Sequence, residues 1–369
     1  MVWKLAQSEK VEKVFAAPGN GGTAVEEKTE NFSPKGLDPA SEEGQKALLE
    51  FAKKEKIDLT VVGPEAPLAA GIVDVFRAEG QAIVGPGENA ARLETGKFAK
   101  PFMEKYGVRT AKAGGSTNPE GLEVSVMAAV SVIPGKTANI KTFLPAKDHK
   151  RLLKGNLGQN TEGMGAVVPV PDFSTAIRKD FETAILTPTL KGIAAEKMDY
   201  RGFINFGLTV KDGQCCLLEY NVRLGDPGTQ AVLPLLGSDL VELCMAILDG
   251  SLANFPIKWR RGAVCTPVAA AEGYPGPYRL GDPVAINPTM LMKTGAKLFV
   301  AGAIRGPGGA LGSGLRTNGG RVFSVSAMGS DADEARWKAY EALRFIGFEG
   351  MVFRSDIGLE KKGAGDLDG

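Results

Sequence analysis

Apolar and polar positions change their period along this chain, and the changes divide it into three parts. From Val11 to about Gly85 the short apolar runs VEKVFAAP, IDLTVVGP and QAIVGP alternate with helical stretches such as 42–56 and 67–79. That strand-helix alternation predicts an α/β region with a parallel sheet. Between about Lys97 and Gly250, hairpin signals mix with amphipathic helical stretches at 174–198 and 239–249, which predicts an α+β core. From Ser251 onward LFVAGAI and RVFSVSAM lie on either side of the glycine-rich segment 305–321, and a helix follows over 330–346. This predicts a small sheet-and-helix domain, with a flexible hairpin loop at RGPGGALGSG. The divisions fall at residues 1–96, 97–250 and 251–369.

The densest chemistry sits on one predicted strand. GFINFGLTV, rich in β-branched and aromatic residues, is followed by Lys-Asp-Gly-Gln and a second apolar run, CCLLEYNVRLGDPGTQ. An Asp-Gly turn between two such runs is a strong hairpin signal. Glu219, Asn221 and Arg223 then occupy alternate positions, and alternate residues share one face of a strand. An acid and an amide two residues apart are about 7 Å apart at the backbone, close enough to converge on one hard cation. The guanidinium beside them can hold a phosphate or carboxylate. A solvated face of an antiparallel sheet accounts for the same pattern, but Gly225, Asp226, Pro227 and Gly228 end the strand in a tight polar loop. Loops at strand ends are where ligands are held.

Other glycine-rich segments carry less. Gly19, Gly21 and Ala24, and again Gly85, Gly87 and Ala90, imitate GxGxxA, yet neither set has a well-placed acid about 20 residues on. No GxxxxGK[ST] occurs. GPEAPL at 63 leaves the carboxyl end of a buried strand, where open α/β sheets bind ligands. Residues 155–165, GNLGQNTEGMG, offer backbone N–H groups to an anion, with Asp148, His149, Lys150 and Arg151 just before them. His149 itself reads as a surface or loop histidine.

Composition narrows the classes. A net charge of +1 over 369 residues indicates neither a nucleic-acid footprint nor an anionic-membrane surface. No apolar run is long enough to span a bilayer, and four cysteines without a CxxC pair read as buried thiols, so a soluble cytoplasmic protein is expected. A single histidine nearly removes histidine triads and multi-histidine zinc sites.

Taken in order, GPEAPL at 63, GPGENAARLETGK at 85, KDHKR at 147, NTEGMGA at 160, LEYNVRLGDPGTQ at 218, EGYPGPY at 272, TNGGRV at 317 and FRSDIG at 353 resemble the glycinamide ribonucleotide synthetase family of the ATP-grasp superfamily. The resemblance covers nearly the whole chain. It implies an ATP-grasp fold: an N-terminal Rossmann-like domain, an ATP-grasp core and a C-terminal domain. It implies ATP-dependent ligation of glycine to phosphoribosylamine in purine biosynthesis, with Mg2+ or Mn2+ as cofactor. The partners implied are those small molecules, with room for fusion or association with other purine-pathway enzymes.

By the family pattern Glu219 and Asn221 are metal ligands, and Arg223 steadies the transferred phosphoryl group or the glycine carboxylate. Lys97 and Glu123 fall on the nucleotide side. Glu65 and Ala66, Asp148 and Lys150, Asn160, Gly163 and Gly165 of the NTEGMGA loop, and Asp226 fall on the side of phosphoribosylamine and glycine. Gly319, Gly320 and Arg321 are the C-terminal contribution to the same cleft, although they also read as a hairpin turn.

The sequence departs from that pattern in four places. The family opens with a strand and a GxGGREH loop, whereas this chain begins in the helix expected to follow. Most of a lid subdomain is replaced by residues 112–121, which reach at most about 35 Å when extended. Glu162 stands where the family has glycine, and would repel phosphate. Gly228 stands where it has glutamate, which removes an acceptor near the metal. Reduced or absent turnover is the expectation from these departures. A non-catalytic binding or scaffolding protein of the same fold, or an incomplete gene model, also accounts for them.

Overall fold

The computed structural model describes residues 1–110, 121–305 and 314–359. The bridge read at 112–121 and the glycine-rich loop at 305–314 lie outside them, but for Gly121, Arg305 and Gly314.

The first third supplies β1 (Val14–Ala16), β2 (Thr29–Asn31), β3 (Thr60–Val61) and β4 (Ile83–Pro86). Pairing is parallel, as the alternation predicts, but in two pieces: β1 with β2, and β3 with β4. The helix expected over 67–79 is two helices, Glu65–Ala69 and Ile72–Ala78, because Gly71 between them has a φ of 79°.

The middle third contains β5 (Leu122–Val132), β6 (Asn139–Thr142), β7 (Ala146–Asp148), β8 (Arg151–Leu153), β9 (Leu157–Asn160), β10 (Gly165–Val168), β11 (Tyr200–Lys211) and β12 (Gln214–Asn221). The predicted hairpin is the pair β11–β12, turning at Asp212 and Gly213, both with positive φ as a two-residue hairpin loop demands. The helix expected over 174–198 runs Thr175–Phe181 and Thr187–Ala195 with a π turn, Glu182–Leu186, between them. Ser174 and Asp239 start their helices by accepting backbone N–H bonds at Ile177 and at Val241 and Glu242.

The last third adds β13 (Ala263–Ala271), β14 (Ala285–Ile286), β15 (Lys297–Val300), β16 (Ala303–Arg305), β17 (Leu315–Thr317), β18 (Arg321–Gly329), β19 (Ile346–Gly347) and β20 (Met351–Phe353). Of these, β13, β15, β18 and β20 join the strands of the middle third, while β14 pairs with β19 and β16 with β17. Among the described residues one twelve-stranded sheet runs β15-β18-β13-β10-β7-β5-β11-β4-β3, with β12 also on β11, β6 on β5 and β20 on β13. All three parts of the chain therefore meet in one hydrogen-bonded sheet.

Both faces of its centre are buried, so β5 and β11 read as near-continuous apolar runs. Val124, Val126, Ala128 and Val130 of β5, with Ile204, Phe206 and Leu208 of β11, pack on one face against Phe181 and Ile185. Met127, Ala129 and Phe203 pack on the other, against Leu236, Leu243 and Ile247. Along that second face the chemistry changes. Ser125 precedes Met127, and Asn205 and Gly207 follow Phe203, so the apolar core gives way to a polar patch on the same two strands.

The join between β4 and β11 depends on glycine. A Cβ on Gly202 would lie 2.9 Å from the Cα of Gly85, backbone against backbone, with no side chain free to yield. Gly202→Ala is expected to destabilise the chain by about 1–3 kcal/mol through overpacking at this seam. A denaturant midpoint equal to that of the parent chain would show that the seam is not tight.

Candidate active site

The polar patch opens into a cavity of ≈ 840 Å³. Its floor is the sheet: Glu123 and Ser125 of β5, Asn205 and Gly207 of β11, Glu219 and Asn221 of β12. The start of the helix Glu65–Ala69 adds Glu65, the end of β9 adds Asn160, loops add Lys150, Thr161, Glu162, Arg223 and Asp226, and the last third closes it with Phe299, Val300 and Arg321.

Strict alternation alone would not put Glu219 there. Cys215 and Leu217 pack in the first core, so by parity Glu219 and Asn221 would be buried with them. A β-bulge intervenes: Leu208 pairs with Leu217, but Gly207 pairs with Glu219, leaving Leu218 as the extra residue. Beyond the bulge Tyr220 and Val222 face the core, while Glu219, Asn221 and Arg223 line the cavity. Glycine opposite Glu219 makes room for it, since a Cβ on Gly207 would lie 2.9 Å from the Glu219 Cγ.

Each cation of the cavity is already held by carboxylates. Lys150 Nζ donates to Glu219 Oε1 at 3.0 Å. Burial alone would lower the Lys150 pKa, but Glu219 and Asp148 outweigh it and hold the ammonium above its usual value. Arg223 Nε donates to Glu65 Oε2 at 2.8 Å, and its Nη2 lies 3.8 Å from Glu94 Oε1. Burial opposes ionisation of Glu65, yet its own backbone N–H and Arg223 win, and its pKa falls. For Glu94 burial wins instead and the pKa rises, although the Val222 N–H and Arg223 oppose it. Arg321 Nη1 donates to Asp226 Oδ1 at 2.8 Å and its Nη2 lies 3.3 Å from Glu162 Oε2. Glu162 is thus not a bare charge facing an anion, because Arg321, which it shares with Asp226, offsets part of its charge at the cavity mouth.

Glu219, Asn221, Arg223, Glu123, Glu65, Asp148, Lys150, Asn160, Asp226 and Arg321 come together on this wall. Gly163 stands just behind it, where a Cβ would lie 2.5 Å from Pro227 Cδ. Gly165 is buried in β10, and Gly319 packs against Gly302. Gly320 lines a neighbouring cavity of ≈ 450 Å³ on the far side of Arg321. Ala66 and Lys97 are exposed on their helices and line neither cavity.

His149 is not the surface or loop histidine that its sequence context suggests. It is buried, its Nδ1 lies 3.3 Å from the Gly165 carbonyl oxygen, and burial followed by the charge of Arg354 pushes its pKa down to about 4. Asn205 escaped the sequence reading. Counting from the hairpin turn without the bulge sets Asn221 opposite Ile204, whereas the register pairs it with Asn205. A lone amide in GFINFGLTV was the signal available. Glu94, reaching Arg223 and the Val222 N–H at 3.0 Å, had none.

An acid and an amide side by side suit a hard divalent cation. Among the described residues no group of three or more His, Cys, Asp or Glu side chains is placed to hold a metal. An ion on Glu219 and Asn221 would complete its shell with water or a bound phosphate, as magnesium does.

Family models for phosphoribosylglycinamide synthetase match the chain three times: the N domain at residues 1–94, the ATP-grasp (A) domain at 116–229 and the C domain at 264–360. Phosphoribosylamine-glycine ligase of Clostridium acetobutylicum is 40% identical over 98% of this chain and 97% of its own length. That of Chlorobaculum tepidum is 38% identical over 98% and 96%. The first alignment runs over 425 positions against 369 residues here, so at least 56 of them hold no residue of this chain. The crystal structure of phosphoribosylamine-glycine ligase from Thermotoga maritima superposes with a TM-score of 0.75 at 27% identity, covering 96% of each chain. The biotin carboxylase subunit of pyruvate carboxylase shares the fold, with a TM-score of 0.62 at 12% identity over 95% of this chain and 89% of its own.

Gly207→Ala tests the seating of Glu219 directly. The added methyl must displace the carboxylate, so Mn2+ affinity measured by calorimetry is expected to fall several-fold with the fold intact. Unchanged affinity would mean that Glu219 can re-seat, or that the ion binds elsewhere.

Proposed function

The chain belongs to the phosphoribosylglycinamide synthetase family, and on that footing we propose that it joins glycine to 5-phosphoribosylamine with ATP, giving glycinamide ribonucleotide. The observation that carries the reading is that Glu219, Asn221 and Arg223, whose shared face the bulge turns to the cavity, line it together with Lys150 and Arg321.

Two steps suffice. A glycine carboxylate oxygen attacks the γ-phosphorus of ATP, ADP leaves, and glycyl phosphate forms. The amine then attacks the glycyl carbonyl carbon and phosphate leaves. Neither step requires a protein nucleophile, so positioning and charge neutralisation supply most of the rate. Glu219 and Asn221 are the residues that would hold Mg2+ or Mn2+, and a bound ion supplies electrostatic relief to the phosphate oxygens. Arg223 is assigned to the transferred phosphoryl group or the glycine carboxylate, exchanging Glu65 for that anion. Glu123 on the cavity wall, with Lys97 on its exposed helix, is assigned to the nucleotide. Glu65 and Ala66, Lys150, Asn160, Gly163 and Gly165, Asp226, Gly319, Gly320 and Arg321 are assigned to the side of glycine and phosphoribosylamine.

The ion pairs favour this reading over a passive groove. An anion that enters finds lysine and arginine side chains already ordered, so part of the entropy of arranging long cationic side chains is lost before binding.

Calorimetric titration with ATP and Mg2+ checks the metal assignment. The wild-type chain is expected to bind with a requirement for the ion, and Glu219→Ala to lose at least about tenfold in affinity, about 1.4 kcal/mol. A Glu219→Ala chain that binds MgATP as tightly as wild type would remove this residue from the metal.

A further inference from the structure

Among the described residues, Asp148 is the one acid on the cavity wall with a buried carboxyl oxygen that has no partner. It ends β7, its backbone paired with Ala166 of β10. Its Oδ1 is buried and has no hydrogen-bond partner. A Cβ on Gly163 would lie 3.1 Å from that oxygen, so the Gly163 backbone lies beside it, and Asp148 itself lines the cavity. The other acids on the wall are engaged: Glu219 by Lys150, Glu65 by Arg223, Asp226 and Glu162 by Arg321, and Glu26 by Lys297. Glu123 on the floor has no ion pair among the described residues, but neither of its carboxyl oxygens is buried without a partner.

We propose that Asp148 is the proton acceptor of the second step, taking the proton that the substrate amine must shed as it becomes an amide. The assignment rests on the ligase reading above. The amine lone pair forms the C–N bond to the glycyl carbonyl carbon. The C–O bond to phosphate breaks, and its electron pair leaves on the phosphate. The N–H proton passes to the Asp148 carboxylate, which becomes the neutral acid and later returns the proton to water.

The charged groups around Asp148 support that role. Lys150 from the following segment and Arg321 from β18 favour its ionised form, as does the His149 backbone N–H, while Glu123 from β5 opposes it. Glu219, Asp226 and Glu162 are paired with those same two cations, and β10 presents Ala166. Burial is the largest influence, and it lifts the Asp148 pKa to about 7. A carboxyl that half-ionises near neutral pH is a stronger base than an ordinary one and is still ionised often enough to act. The alternatives are unsuited. His149 turns to the Gly165 carbonyl, and the Lys150 ammonium is held protonated.

The two steps are separable, which makes the test sharp. Step one is read by positional isotope exchange of 18O within ATP, in the presence of glycine and Mg2+. Step two is read by product formed from phosphoribosylamine, and by trapping with hydroxylamine, an added nucleophile whose adduct, acidified by the neighbouring oxygen, sheds its proton to water without a protein base. In Asp148→Asn, exchange and hydroxylamine trapping are expected to persist within a few-fold. Product formation should fall about 100-fold, in the range of a lost general base. The rise of the wild-type capture rate with pH, centred near 7, should disappear in Asp148→Asn and return in part in Asp148→Glu.

Melting gives a readout independent of activity. A carboxyl whose folded pKa is raised stabilises the fold below its unfolded pKa and loses that contribution as pH rises through the folded value. Asp148→Asn should therefore melt above wild type at pH 8, with the gap closing toward pH 4. Parallel loss of exchange and capture, or capture retained within a few-fold, would overturn the role of Asp148 alone. Absence of exchange in wild type would overturn the ligase reading itself.

Discussion

β12 has to satisfy two demands that a regular strand cannot meet together. Before Leu218 its odd-numbered residues, Cys215 and Leu217, fill the core; after it the odd-numbered Glu219 and Asn221 must not. One extra residue reconciles them by shifting the register against β11 between Gly207 and Leu208. Everything chemical downstream follows from that shift. Tyr220 and Val222 anchor the end of the strand in the core, and Arg223, one step further, emerges at the cavity within reach of Glu65 and Glu94.

The cavity is best understood as a face of the core that changes character. On β5 and β11 the same pleat that carries Met127, Ala129 and Phe203 into the core carries Glu123, Ser125, Asn205 and Gly207 to the cavity floor. A floor built on paired strands is stiff, which suits a reaction that depends on placing anions rather than on a nucleophile. Above it, cations are set by carboxylates on distant segments: Arg223 with Glu65, Lys150 with Glu219, Arg321 with Asp226 and Glu162. These partners lie 158, 69, 95 and 159 residues apart, so the same contacts that prepare the site also draw the three parts of the chain together.

Local signals in the sequence were enough for the hairpin, because an Asp-Gly turn between apolar runs dictates its own geometry. The association of Glu219, Asn221 and Arg223 with loops around 65, 148, 160 and 321 was legible through the ordered motifs of the family. Three features were not. The bulge leaves no mark in Leu217-Leu218-Glu219, which reads as an ordinary strand. The burial of His149 is set by β7 and β10, far apart in sequence. The pairing of Glu162 with Arg321, shared with Asp226, partly offsets an apparently repulsive substitution, and no local rule links residues so distant. Nor does composition reveal that β13 and β18 extend the central sheet.

The most direct measurement of the central claim is ADP release by the purified wild-type chain with ATP and Mg2+, with glycine and phosphoribosylamine added singly and together. If the bulge-built cavity is a working ligase site, ADP forms well above the background only when both are present, in step with glycinamide ribonucleotide. ADP release indifferent to glycine and amine, or absent altogether, would contradict the account.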